Sequence, residues 1–142
     1  MGLTDFVRRK LFRRKPHEIE AFVGDGTVLY TELRNWDFFE TYTPTQMIKF
    51  LNKYLTNSIE IIEQHSGTVV QYEGDVIQAF WHPQVNAINH TQSAFIGAME
   101  ILSAYKDQIS KYKSYPVLCI ALGTEELRGD FFGPIRQFQI LG

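Results

Sequence analysis

The stretch Gln71-Tyr72-Glu73-Gly74-Asp75-Val76-Ile77-Gln78-Ala79-Phe80-Trp81 decides how the rest of the chain is read. Thr68 to Tyr72 and Val76 to Trp81 are short runs of strand-forming residues, and Glu73-Gly74-Asp75 between them reads as a turn of three residues. The expectation is a hairpin with a carboxylate at its tip. Upstream, Thr27-Val28-Leu29-Tyr30-Thr31-Glu32-Leu33 is another apolar strand that delivers a carboxylate near its end. If that strand lies beside the hairpin in one sheet, Glu32 and Asp75 converge at the same edge. Two carboxylates placed so could hold a divalent cation over a phosphate chain.

Between these elements lies a helix with signals at both ends. Thr43 suits the N-cap, Pro44 the first helical position, and Gln46 completes a capping box. Met47, Leu51, Tyr54, Leu55, Ser58, Ile59 and Ile62 follow the 3.6-residue period and should face the sheet, and Gly67 suits the position just past the end. A second helix, about His90 to Ser110, places Phe95, Ala98, Ile101, Leu102, Tyr105 and Ile109 along one side. Pro116 to Leu122 is a near-continuous apolar run, the pattern of a strand covered on both faces. Ile135 to Leu141 alternates as a fifth strand, and Asp25-Gly26 marks a turn before the first. The order β-α-β-β-α-β plus one strand defines an α+β fold: a ferredoxin-like antiparallel sheet with helices on one face.

Charge is distributed unevenly. Residues 1–15 hold six basic side chains (Arg8, Arg9, Lys10, Arg13, Arg14, Lys15) and one acid, a net +5. The remainder holds eight basic and fifteen acidic side chains, a net −7. An acidic body argues against a nucleic-acid partner. Leu3, Phe6, Val7 and Leu11 recur at helical spacing in the basic segment, so residues 1–16 read as an amphipathic helix ended by Pro16, followed by one domain over 17–142. Such a helix docks on an anionic membrane surface or an acidic partner, or packs on its own domain. The single cysteine, Cys119, excludes an internal disulfide and reads as a small buried hydrophobe. No apolar run is long enough to span a bilayer and no signal peptide opens the chain. The expected location is the cytoplasm, with peripheral membrane attachment through the arm.

Glu32 in the first strand, Gly74-Asp75 in the hairpin, Thr43-Pro44 opening the helix, Leu51-Asn52-Lys53-Tyr54 within it and His65-Ser66-Gly67-Thr68-Val69 leaving it form an ordered set. Over about Gly26 to Gly142 this order resembles the catalytic domain of the class III nucleotidyl (adenylate and guanylate) cyclases. The resemblance implies metal-binding positions at Glu32 and Asp75, with Mg or Mn as the ions, and a head-to-tail homodimer or heterodimer. It implies base-selecting positions at Gln71 and Gln139. It also implies an Asn and an Arg supplied by a helix after the fifth strand.

The departures from that pattern shape the functional expectation. The family's first metal position is Asp, and Glu32 moves the carboxylate by over ~1 Å, an error that can cost about 10²-fold in rate. Gln71 and Gln139 match neither the Lys–Asp pair of adenylate cyclases nor the Glu–Cys pair of guanylate cyclases, although two amides can still read a base edge. The sequence stops at Gly142, before the helix that would carry Asn and Arg. The expectation is therefore a degenerate cyclase-like domain with no catalytic residue of its own, acting as a protein-binding or structural subunit. The alternatives are the metal-carboxylate half of a heterodimeric cyclase and a nucleotide sensor without turnover. His17, His65, His82 and His90 lack metal-ligand spacing, and Gly24-Asp25-Gly26 and Gly129-Asp130 read as turns, not phosphate loops. Trp36, Phe38 and Phe39 read as core or interface anchors.

Overall fold

The structure, a computed structural model, describes residues 21–85, 89–132 and 137–141. The basic segment with Arg8, Arg9, Lys10, Arg13, Arg14 and Lys15 lies outside them, as do His17 and the boundary expected at residue 16. Within them run β1 (Phe22–Arg34), a 3-10 turn (Trp36–Thr41), α1 (Pro44–Gln64), β2 (Thr68–Glu73), β3 (Val76–Trp81), α2 (His90–Ile109), β4 (Val117–Phe132) and β5 (Gln137–Leu141). The sheet has the order β2-β3-β1-β4-β5 and every neighbouring pair is antiparallel. This is the expected α+β, ferredoxin-like arrangement with one strand added at the β4 edge.

Helix α1 forms where the sequence places it. The Thr43 hydroxyl accepts from the Gln46 N–H and the Gln46 side chain accepts from the Thr43 N–H, a complete capping box. Its buried residues are Phe50, Tyr54, Ser58 and Ile62, with Met47, Leu51, Leu55 and Ile59 packed around them. The C-terminus departs from expectation by one position. The left-handed residue is Ser66 (φ 66°), not Gly67. The Ser66 N–H donates to the Glu63 carbonyl at 3.1 Å and the Gly67 N–H to the Ile62 carbonyl at 2.8 Å, closing a Schellman motif around a serine.

Four other expectations are corrected. The hairpin turn has two central residues, because Glu73 pairs with Val76, and Gly74 opens it at φ 59°. A β-carbon there would be strained, so glycine is the residue that fits. Asp25-Gly26 is not a turn: β1 runs through it and pairs with β4 from Phe22 to Arg34, and Gly129-Asp130 likewise lies inside β4. Gly26 is required by close approach, since a β-carbon would lie 2.7 Å from both the Leu127 side chain and the Trp81 carbonyl. On α2, Phe95 (58% exposed) and Leu102 (40%) face outward, while Ala94, Gly97, Ala98, Ile101 and Tyr105 meet the sheet. Small residues let the helix approach closely, and the large ones are left on the flank. The apolar start of β4 is not covered on both faces: Val117 and Ala121 are exposed on the face away from the helices, Leu122 is exposed on the helix side, and Cys119 is half-buried rather than buried.

The sheet separates two cores. Under the helices, Leu29, Leu33, Ile77, Ala79 and Trp81 pack on Phe50, Tyr54, Ile62, Ile101 and Tyr105. On the other face Phe22, Phe80 and Leu127 are covered by Phe138 and Ile140 of β5. His82 joins this second core, 2% exposed, its ring centroid 4.3 Å from that of Phe22, while its Nδ1 accepts from the Gln84 N–H at 3.1 Å.

Two outcomes are expected. Ser66→Gly relieves the left-handed strain and raises stability by about 1 kcal/mol, read as a higher urea midpoint at unchanged slope. Burial, aided by neighbouring His90 and opposed by the Gly24 backbone and Asp25, holds His82 below the usual imidazole range. The folded protein keeps it neutral, whereas the unfolded chain takes up a proton below about pH 6.5. Stability from this site is complete above about pH 6.5, declines below it and levels off once the folded-state pKa is passed. Urea midpoints between pH 7.5 and 5 should show that decline, and His82→Asn, which retains an acceptor for Gln84, should flatten it.

Candidate functional site

Successive residues of β1 point to opposite faces. Leu29, Thr31 and Leu33 are buried under the helices, so Tyr30 and Glu32 lie on the other face. Thr31 pairs with Ile77, and the short hairpin turn then brings Asp75 level with Leu33. Asp75 Oδ2 accepts from the Leu33 N–H at 2.6 Å. That N–H belongs to the peptide joining Glu32 to Leu33, so the structure brings Glu32 and Asp75 to one end of the sheet. A charge-assisted bond of this kind ties the hairpin tip to the central strand.

The other partners explain the local electrostatics. Arg34 Nε donates to Glu32 Oε1 at 2.6 Å, and its guanidinium is held above its ordinary value chiefly by that bond. The two residues stand two apart on a strand, a spacing that places them on one face and could have announced the pair from sequence. Beneath Asp75, the Tyr54 hydroxyl lies 2.7 Å from Thr31 Oγ1. Burial pushes the Tyr54 phenol up, and the Asp75 charge adds to the effect. Cys119 sits across the ladder from Glu32. Among the described residues no group of three or more His, Cys, Asp or Glu side chains could hold a metal ion. Carboxylate oxygens are hard donors of the kind Mg or Mn accept, and at Glu32 the competing cation is Arg34.

Gln71 pairs with Gln78, which pairs with Tyr30, and so shares the face of Glu32. Its Oε1 meets Gln137 Nε2 at 3.5 Å rather than Gln139. Gln137 and Gln139 are both exposed and, two apart on β5, lie on one face of that strand. Sequence reading missed Gln137 because the contact joins the two edge strands of the sheet, a long-range approach that no local pattern announces. The histidines have structural partners: His65 Nε2 lies 3.0 Å from Glu100 Oε2, and His90 Nδ1 lies 2.8 Å from Thr27 Oγ1. Trp36 is 39% exposed at the start of the 3-10 turn.

No family model matches the sequence. Adenylate cyclase 1 of Rhizobium meliloti (strain 1021) is 26% identical over 75 residues, which are 52% of this chain and 11% of that protein. The guanylyl cyclase Cya2 superposes with a TM-score of 0.72 at 18% identity, covering 87% of this chain and 66% of that one. The non-canonical dimeric guanylyl cyclase domain of the RhoGC fusion protein from the aquatic fungus Blastocladiella emersonii gives 0.70 at 18% identity, covering 87% and 70%. The fold is that of the class III adenylyl and guanylyl cyclase catalytic domains. The chain itself is cyclase-like in architecture, and it spans a small part of its curated relative and just under two thirds of Cya2. No helix among the described residues is long and apolar enough to cross a membrane.

The Asp75–Leu33 bond predicts a stability effect independent of any ion or nucleotide. Asp75→Ala should lower unfolding free energy by about 1.5–3 kcal/mol in metal-free buffer, and Asp75→Asn, which keeps an acceptor, by clearly less. Equal stability of all three proteins would remove this structural role.

Proposed function

We propose that this chain is a class III cyclase-like domain that binds a protein partner and does not turn over a nucleoside triphosphate by itself. One observation carries the reading: both acidic side chains of the candidate site are engaged within the chain, Glu32 by Arg34 and Asp75 by the Leu33 N–H. The sheet face around them supplies the surface. Tyr30 is 42% exposed there, Ala121 opposite it is exposed, and the covering by β5 lies toward the Phe22 end. A solved domain of this fold is dimeric, which supports a protein partner on a surface of this kind. The replacement of Asp by Glu32 and the amides at Gln71 and Gln139 support loss of turnover and of base selection.

A second reading follows from the placement of Glu32 and Asp75 at one end of the sheet. If Arg34 swings off Glu32, the two carboxylates hold Mg or Mn, and the ion supplies charge neutralisation on bound phosphates. The chain would then be the metal-carboxylate half of a heterodimeric cyclase, or a sensor that binds nucleotide unreacted.

The deciding experiment assays cyclic nucleotide formation from ATP and from GTP with Mn²⁺, first with the purified chain and then with a full-length cyclase added. The expected result is no product alone, no Asp75-dependent gain in the mixture, and a stoichiometric complex by light scattering. Product from the chain alone rejects the proposal. A gain in the mixture that Asp75→Asn abolishes establishes the heterodimer reading instead.

A further inference from the structure

A second surface lies on the helix side of the sheet, away from the candidate site. A helix is ~10 Å wide and strands stand ~4.8 Å apart, so two helices cover about four strands of the five. Helix α2 lies over the junction of β1 and β4. Thr27 Oγ1 meets His90 Nδ1 at 2.8 Å at the start of the helix, and the Tyr105 hydroxyl reaches the Pro116 carbonyl near its end. Glu100 and Gln108 reach toward α1, the first to His65 at its C-cap and the second to the Phe50 carbonyl. Phe95, Met99 and Leu102, at intervals of four and three, therefore form the flank turned away from α1, above β4. On the strands beside that flank, Leu122 pairs with Leu29, Val23 with Arg128, and Arg128 with Leu141, all on the helix side. These six apolar residues are between 39% and 58% exposed. Contiguous apolar exposure of this kind marks a contact surface.

We propose that this open face seats residues 3–15 of the same chain. The dimensions agree. Leu3, Phe6, Val7 and Leu11 make an apolar stripe ~12 Å long on a helix, against ~10 Å from Phe95 to Leu102. The attachment lies at the edge of the face, because residue 21 leads into Phe22 and Val23 already belongs to the patch.

The reach also agrees. Phe95 is ~7 Å along α2 from His90, and Leu122 is ~7 Å along β4 from Thr124. His90 and Thr124 both bond to Thr27, so Phe95 and Leu122 are level. That level is ~20 Å from Val23 along β1. Residues 16–21 span ~20 Å when extended. Rising ~10 Å onto the helix layer and shifting ~5 Å from β1 to β4 leaves ~16 Å of advance. Helical residues 15 to 11 add ~6 Å. Leu11 thus comes level with Leu122 and Phe95, and Leu3 with Leu102, with a shift of one strand only.

Charge gives the docking its direction and apolar burial its energy. Near the root, Asp25 and Glu126 stand directly opposite each other on the helix side, a repulsive pair. Both already interact with a neighbour, Glu126 with Arg128 at 3.5 Å and Asp25 with His82, so the Arg13-Arg14-Lys15 cluster adds to these contacts and fills no vacancy. Lys106 continues the α2 flank at the far end, where Asp5, the one acid of the arm, arrives.

Limited trypsin digestion of the full-length chain reads the docking, because the bonds after Arg8, Arg9, Lys10, Arg13 and Arg14 are cut in an arm that has left the surface. Phe95→Ser/Met99→Ser should speed those cuts on the order of tenfold, and Phe6→Ser/Leu11→Ser, which leaves the folded domain untouched, by a similar factor. All four changes together should be no faster than either pair, since both pairs remove one contact. Ile48→Ser, at an equally exposed apolar position on α1, should leave the rate unchanged. Wild-type rates in both pairs overturn the proposal, and so does a combined effect equal to the product of the two. Protection that grows with protein concentration overturns it in favour of a second copy on this face. Protection that appears only with phosphatidylserine vesicles overturns it in favour of a membrane seat for the arm.

Discussion

The thirteen-residue ladder between β1 and β4, continued by the pairing of β1 with β3, is the constraint on which the rest of the molecule depends. It fixes which side chains of the central strand face the helices. A slip of one residue would exchange the two sets. Glu32 would enter the layer now filled by Leu29, Thr31 and Leu33, an unpaired charge in an apolar core, and Leu33 would be expelled. The penalty is large enough that register and fold are effectively one choice. The same register aligns the hairpin tip with Leu33, so the placement of Asp75 follows from strand pairing and turn length together.

Side chains tie the elements around that ladder to one another. The Trp81 indole donates to the His65 carbonyl, the Tyr105 hydroxyl to the Pro116 carbonyl, and the Gln108 amide to the Phe50 carbonyl. Each is a buried residue reaching a backbone carbonyl; His65 and Pro116 lie at element ends, whereas Phe50 lies inside α1, so its bond ties α2 to the body of that helix. Their rings and stems fill the same apolar layer, so packing and polar satisfaction act on one set of residues. The opposite face is treated differently: β5 covers one end and leaves Tyr30 and Ala121 outside. That asymmetry leaves one end of the face closed by the chain and the other end exposed.

Local signals made part of this legible. The Thr43–Gln46 capping box and Pro44 sit in consecutive sequence, and α1 begins where they say. The hairpin and its place beside the first strand followed from element order alone. Long-range facts were not legible. Gly24-Asp25-Gly26 has the composition of a turn, and only a partner a hundred residues away makes it strand. Phe95 and Leu102 fit a helical period, yet α2 carries apolar residues on several sides, and size decides which side meets the sheet. Ser66 takes a conformation for which Gly67 is the better residue, because Gly67 already lies against Ile62 and Trp81, where a β-carbon would be 2.6 Å from each. Steric demand at one position displaced the conformational preference to its neighbour.

The same reasoning separates scaffold from chemistry at the candidate site. Asp75 bonds to a backbone N–H of the central strand, a use that any sheet of this register has for an acceptor at the hairpin tip. An ion arriving there would draw on a carboxylate already committed to the fold, and it would displace Arg34 from Glu32. Both are exchanges of one charged partner for another, so neither is forbidden, but each subtracts from the affinity that a preorganised pair would give. Asp75 therefore has a role in folding whether or not an ion binds, whereas Glu32, held by Arg34 of its own strand, would answer more directly to a cation.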